Sequence, residues 1–387
     1  MRRMLIRRFH NYAYLCREKK PESAKELLEN AATYENAKPA SAEDEWYTLP
    51  YAEGSPLKRG QGARSLRPNV DPKDTSIILF PGQGAQFVGM AKDLLKFPGA
   101  RDIFELANEI LKYDLLKLCL EGPKKDLDQT IHCQPAVMVA SLAALERLRE
   151  ERPKAIDNCV ATAGFSLGEI TALVFAGAIP FDKALKLVQV RAEAMQKAST
   201  EFPGGMATVL YGPDSELSLA CKKAQQWCLE RGVENPQCTV ANYLYPHCKV
   251  IAGSREALKY IETNYKHFNI KRVRSLPVSG AFHTELMSSA VDPFKRALRS
   301  IQLEDPIIPV HSNVDGKRYA NAAHIVRQLP KQIIRPVKWE QTLHILYERK
   351  QETNFPRTFE CGPGRGLTTI LKQVNAKAWD SAMNVEA

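Results

Sequence analysis

Apolar and polar positions fall into two textures along the chain. Thr75-Ser76-Ile77-Ile78-Leu79-Phe80 is a short apolar run that stops at Pro81-Gly82-Gln83-Gly84. That is the pattern of a buried strand ended by a tight turn. A helix is expected from about Ala85, and a second helical stretch from about Pro135 to Arg149. Cys159 to Ala163 reads as another strand and Leu167 to Gly177 as a helix. Strands alternating with helices predict a parallel sheet covered on both faces.

Between residues 204 and 278 the texture changes. Met206 to Tyr211 reads as a strand and Asp214 to Arg231 as an amphipathic helix. Gln237 to Asn242 and Cys248 to Ala252 read as two strands, Ser254 to Phe268 as a helix, and Lys271 to Val278 as a last strand. The order βαββαβ is the ferredoxin-like pattern. The expected fold class is therefore α/β. A large domain with a parallel sheet, residues 75–203 and 279–375, carries an inserted ferredoxin-like (βαββαβ) subdomain, 204–278. Residues 376–387 are expected as a C-terminal tail.

The start of the chain has a third character. Arg2, Arg3, Arg7, Arg8 and Arg17 precede the first acid, Glu18, while Leu5, Phe9 and Tyr12 share one helical face. A basic, acid-free, amphipathic start is the signature of a mitochondrial transit peptide, and Met4-Leu5-Ile6 is too short for a secretory signal. Residues 1–20 are expected to be that peptide, and 21–74 a presequence remainder and linker with one helix near Glu22 to Ala31.

Composition narrows the function classes. The 387 residues are 44% hydrophobic and 25% charged, as in ordinary globular proteins. The longest apolar stretches, Pro135 to Leu145 and Ala172 to Phe181, fall short of the ~18–20 residues of a membrane-spanning helix, so no membrane insertion is expected. Lys and Arg number 54 against 44 acids, net +10. No dense basic block follows residue 70, which argues against nucleic acid. A mild positive field suits an anionic small molecule or an acidic carrier protein. The nine cysteines include no C-x-x-C pair, which argues against a disulfide framework and a zinc ribbon. Reduced thiols in a reducing compartment fit better. His247 and Cys248 are adjacent but lack the further ligands a metal site needs.

One motif carries chemistry. Gly164-Phe165-Ser166-Leu167-Gly168 fits G-x-S-x-G between an expected strand and an expected helix, the context a nucleophile elbow requires. Glycines flank the serine because a Cβ there would meet neighbouring backbone. The N–H of Leu167 would point to where an oxyanion forms. A serine nucleophile needs a base, and among eight histidines His283 follows Ser279-Gly280-Ala281-Phe282, small residues that would leave room for a ligand. Arg191 lies at the edge of a helical core stripe of Phe181, Ala184, Leu185, Val188, Ala192 and Met195, where it could reach into a cleft.

Several separated motifs stand in one order: Phe80-Pro81-Gly82-Gln83-Gly84-Ala85-Gln86, Gln134-Pro135-Ala136, Gly164 to Glu169, Val278-Ser279-Gly280-Ala281-Phe282-His283, and Cys361-Gly362-Pro363-Gly364. In this the chain resembles the malonyl-CoA:acyl carrier protein transacylases over about residues 75–375, and with its start it is similar to their mitochondrial members. The resemblance implies a Ser166–His283 dyad with the main-chain carbonyl of Gln332 orienting the histidine. It implies an oxyanion hole of the Gln83 and Leu167 N–H groups, and Arg191 as the partner of the malonyl carboxylate, which a guanidinium grips bidentately. Gln134 and Asn242 are carried over as supporting residues. Phe165 stands where many bacterial members have His, and the loop after Asn242 departs from the bacterial pattern.

The implied reaction is ping-pong transfer through a malonyl-serine, from malonyl-CoA to the phosphopantetheine thiol of acyl carrier protein. It needs no metal or redox cofactor. The implied setting is type II fatty acid synthesis in the mitochondrial matrix, by a monomer. Two rivals are a serine hydrolase and a non-catalytic protein that kept the fold. A hydrolase would show Ser, then an acid, then His in chain order, and Arg191 would be wasted on a neutral ester.

Overall fold

The computed structural model describes residues 71–349 and 353–387. The expected transit peptide, and the helix expected near Glu22 to Ala31, lie outside the described residues. Among the described residues ten strands form two sheets. In chain order they are β1 (Ser76–Phe80), β2 (Cys159–Gly164), β3 (Gly204–Leu210), β4 (Cys238–Tyr245), β5 (Cys248–Ser254), β6 (Arg272–Ser275), β7 (Val310–His311), β8 (Val337–Lys338), β9 (Arg357–Gly362) and β10 (Ala382–Glu386).

The first sheet runs β10-β9-β1-β2-β7, every pair parallel. All five residues of β1 are buried, because both faces of the sheet are covered. Ile78 and Phe80 face one core with Val137 and Ile170, while Ile77 and Leu79 face another with Trp339, Leu343 and Leu371. A continuous apolar run is what a strand buried on both faces requires.

Helices α1 (Pro98–Leu111), α2 (Thr130–Glu151), α3 (Leu167–Phe175) and α4 (Phe181–Glu201) build much of this layer. Helix α2 packs against α1, α4 and β9 at once, so it is apolar nearly all round. It starts at Thr130, before the expected Pro135. Proline favours a first turn, but here it sits inside the helix and removes one backbone hydrogen bond.

The helix expected from about Ala85 is absent. Gly84, Gly89 and Ala91 hold positive φ values of 104°, 99° and 76°, which a right-handed helix cannot contain. Regular α-helix resumes only at Pro98.

The second sheet runs β6-β3-β5-β4-β8. Its first four strands are antiparallel and come in the order that βαββαβ connectivity gives. Helices α5 (Leu217–Leu229) and α6 (Arg255–Asn264) cover one face, where Ala207, Val209 and Ile251 meet Ala220, Ala224 and Ile261. Met206, Ala241, Val250 and Ala252 point the other way, into the core shared with the large sheet. Alternation with period two thus puts one face on each core. Edge strand β6 exposes Arg272 and Arg274, charges that discourage pairing with another edge.

Two features depart from the expected organisation. Strand β8, from the later segment, pairs in parallel with β4, Asn242 opposite Val337, and ties the two sheets together. Residues 376–387 are not a loose tail: Ala382 to Glu386 form β10 beside β9. Among the described residues no helix is long and apolar enough to cross a membrane.

Candidate active site

The site is assembled where the parallel strands end. Strand β2 turns into α3 through Phe165 and Ser166, and Ser166 takes φ 51°, ψ −104°, a conformation that costs energy for a residue with a Cβ. A Cβ on Gly164 would lie 1.8 Å from Gly168 O, and one on Gly168 2.2 Å from Phe80 O. Three backbone segments therefore cross without room for side chains. Asn313, just past β7, clamps the turn from both sides. Its Oδ1 accepts from Ser166 N–H at 2.6 Å, and its Nδ2 donates to Gly164 O at 2.8 Å.

His283 follows β6 and also holds a positive φ, 63°. Its N–H donates to Ile333 O at 3.1 Å. Nδ1 lies 2.7 Å from Gln332 O and Nε2 2.9 Å from Ser166 Oγ. A carbonyl can only accept, so Nδ1 carries the proton and Nε2 is left to accept from the hydroxyl. Burial, with the Arg191 charge as second cause, pulls the His283 pKa down to about 4. The imidazole is neutral and ready as a base. The small residues before it have another use than room for a ligand: a Cβ on Gly280 would lie 2.1 Å from Ser199 Oγ of α4. Glycine there lets the histidine loop sit against that helix.

Arg191 is 1% exposed, deeper than a stripe-edge position suggests. Its Nη1 donates to Gln134 Oε1 at 2.7 Å. Its Nη2 donates to Gln332 Oε1 at 2.8 Å and to Ser166 Oγ at 3.1 Å. Burial lowers its pKa to about 10, with Glu169 opposing the shift, so the guanidinium is charged at neutral pH. Its Nε is buried without a hydrogen-bond partner.

Beneath these groups lies a buried polar layer that sequence reasoning missed. Glu169 accepts from Tyr319 O–H at 2.5 Å, Gln332 Nε2 at 2.5 Å and Asn313 N–H at 3.2 Å. Burial pushes its pKa up to about 7 against those three donors. A signal for Glu169 was present: it is the one charge in Leu167 to Phe175, a segment with no polar face to receive it. Asn313 and Tyr319 carry no comparable signal.

The remaining expected residues divide. Leu167 is the first residue of α3, and a helix's first N–H groups have no intrahelical acceptor. Gln83 follows the end of β1; its side chain sits 3.4 Å from both Thr130 Oγ1 and Gln134 Nε2. Asn242, on β4, is buried with Oδ1 unpartnered, and no bond joins it to the serine cluster among the described residues. Phe165 packs edge-on against Trp339, ring centroids 5.5 Å apart.

A strained serine, a neutral histidine and a buried cation meet at one oxygen. That arrangement suits acyl transfer by way of a serine ester, with a charge placed for an anionic acyl group. Similarity to known proteins points the same way. The model of the acyl transferase domain family matches residues 77–354. A Drosophila melanogaster protein described as a probable mitochondrial malonyl-CoA-acyl carrier protein transacylase is 68% identical over 321 residues, 83% of this chain and 85% of its own. The Homo sapiens mitochondrial malonyl-CoA-acyl carrier protein transacylase is 51% identical over 315 residues, 81% of each chain. A malonyl-transacylase solved in complex with its type II PKS acyl-carrier protein superposes with a TM-score of 0.71 at 34% identity, over 81% of this chain and 96% of its own.

Proposed function

The chain belongs to the malonyl-CoA:acyl carrier protein transacylase family of acyl transferases, and from that premise we propose which of its groups carry the reaction. The protein is a mitochondrial acyltransferase that moves a malonyl group from malonyl-CoA to acyl carrier protein. In our reading Ser166 Oγ attacks the thioester carbonyl while His283 Nε2 takes its proton. The carbon–sulfur bond then breaks, His283 returns the proton, and CoA leaves as its thiol. The phosphopantetheine thiol of the carrier protein next gives its proton to His283 and attacks the malonyl ester. The proton passes to Ser166 Oγ as the ester bond breaks.

The observation that carries this assignment is the shared oxygen. His283 Nε2 stands 2.9 Å from Ser166 Oγ and Arg191 Nη2 3.1 Å from it. An acyl group on that oxygen brings its own carboxylate beside the guanidinium. Gln134 and Gln332 hold the guanidinium in place. The N–H groups of Gln83 and Leu167 are assigned to the oxyanion, a role supported by their places at the end of β1 and the start of α3. Asn242 is kept as a supporting residue on the small-subdomain side. The scheme routes no step through a metal or redox cofactor.

The reading extends to the matrix as compartment, to type II fatty acid synthesis as the consumer of the product, and to a monomer as the working unit. The test is covalent. Malonyl-CoA without acceptor should load Ser166, seen by mass spectrometry of the peptide that holds it, and Ser166→Ala should carry no adduct. An adduct of equal yield on the Ser166→Ala protein would remove the nucleophile from the scheme.

A further inference from the structure

Gln332 touches nearly every part of the site. Its backbone O orients His283, its Oε1 accepts from Arg191 Nη2, and its Nε2 donates to Ser166 O at 2.8 Å and to Glu169 Oε2 at 2.5 Å. The direction of that amide decides what the guanidinium meets. With Oε1 toward Arg191 it offers an acceptor; turned over, it would set an NH2 against another N–H donor. Acceptors on the far side hold the present direction: Ser166 O, Glu169 Oε2 and, at 3.5 Å, Asn313 Oδ1, with Glu169 the nearest.

The Glu169 carboxylate is itself fixed. Asn313 N–H shares Oε2, and Tyr319 O–H binds Oε1. Among the described residues no hydrogen bond joins Arg191 to Glu169; the neutral amide of Gln332 bridges them. We propose that Glu169 is a positioning residue for acyl-group selectivity: its Oε2 sets the Gln332 amide, which aims Arg191 at the acyl group on Ser166. This rests on the reading of Arg191 as the malonyl carboxylate's partner. Protonation would leave the device intact. A proton on Oε1 only reverses the bond to Tyr319, whose hydroxyl can accept as well as donate, and Oε2 still accepts from Gln332.

A carboxylate that only stabilised the fold would affect every acyl substrate alike. The measured quantity is therefore the ratio of kcat/KM for malonyl-CoA to that for acetyl-CoA, in competition, on proteins shown to be folded by their thermal melts. Glu169→Gln keeps the shape and an acceptor oxygen for Gln332 while removing the charge. Its NH2 can donate to the Tyr319 hydroxyl. Glu169→Asp keeps the charge but is one methylene too short to keep all three partners.

The ratio should stay within about threefold of wild type in Glu169→Gln. It should fall about tenfold or more in Glu169→Asp, the cost of one misdirected buried hydrogen bond. Glu169→Leu, apolar and close in volume, should fall with Asp and serves if Asp does not fold. A ratio unchanged within about threefold in the Asp or Leu protein would overturn the proposal. So would a Glu169→Gln protein that falls as far as they do, since charge and not direction would then matter. Arg191→Ala runs beside them. If it keeps the malonyl preference, the arginine reading fails and this proposal with it; if it loses the preference while Asp and Leu keep it, the proposal alone fails.

Discussion

The two sheets handle polar groups in opposite ways. In the small subdomain the antiparallel ladder pairs the backbone, and the space between sheet and helices is filled by apolar side chains such as Val209, Ile251 and Ile261. Beyond the ends of the large sheet's strands gather Ser166, Glu169, Arg191, His283, Asn313 and Gln332, all buried and polar. Burying such groups is costly unless each finds partners, and a fully bonded network is rigid because every member constrains the others. The chemistry thus lies apart from the apolar core between the small sheet and its helices. A substitution in that core should lower stability and spare the chemistry.

The largest expected effect is at His283. His283→Ala should slow both loading of Ser166 and discharge to the carrier protein by about 10²–10⁴-fold, the usual worth of a general base. Rapid-quench measurement of the two half-reactions checks this; a loss confined to CoA release would mean that another group activates the carrier thiol. Ile251→Ala, in the apolar subdomain core, is expected to cost about 2–5 kcal/mol in denaturant unfolding. It should leave kcat/KM of the folded protein within about threefold. A large kinetic loss there would break the separation of the two regions.

The smallest effect is in the pH profile. The active form of His283 is neutral and its pKa is depressed to about 4. Activity should hold as pH falls through 6.5 and drop only as it approaches 4, whereas an exposed histidine would titrate near ~6.5. An acid limb of kcat/KM centred near that ordinary value would contradict the burial of the base. Stability carries the same sign. His283 and His311 are both pulled to about 4 by burial, so between about pH 6.5 and 4 the unfolded chain binds protons that the native state does not. Their contribution is full above that window and is lost as pH falls through it.

How much of this was legible in the sequence follows the same division. The subdomain's order of elements is readable because alternation and helical spacing declare themselves over seven or more residues, as in Gly204–Leu210 and Leu217–Leu229. Strand β8 is two residues long and pairs across the chain, so no local pattern marks it. Ser166 is legible because the elbow demands glycines at fixed places. His283 and Arg191 are only candidates from local pattern, and their roles come from the resemblance of the ordered motifs to the transacylase family. Glu169, Asn313 and Tyr319 act through long-range bonds to groups about 150 positions away, and only Glu169 left a trace, as a charge with no polar face.

The central claim is that one buried guanidinium beside the nucleophile selects the acyl group. A competition assay with malonyl-CoA and acetyl-CoA on wild type, Arg191→Ala and Arg191→Lys tests it most directly. Removing one member of a desolvated charge pair costs ~2–5 kcal/mol, so Arg191→Ala should lose about 30-fold to several-thousand-fold in kcat/KM for malonyl-CoA. Acetyl-CoA should be used as well as before or better, and Arg191→Lys should recover only part of the malonyl activity. A malonyl preference that survives Arg191→Ala within about threefold would show that the carboxylate is held elsewhere and contradict the account.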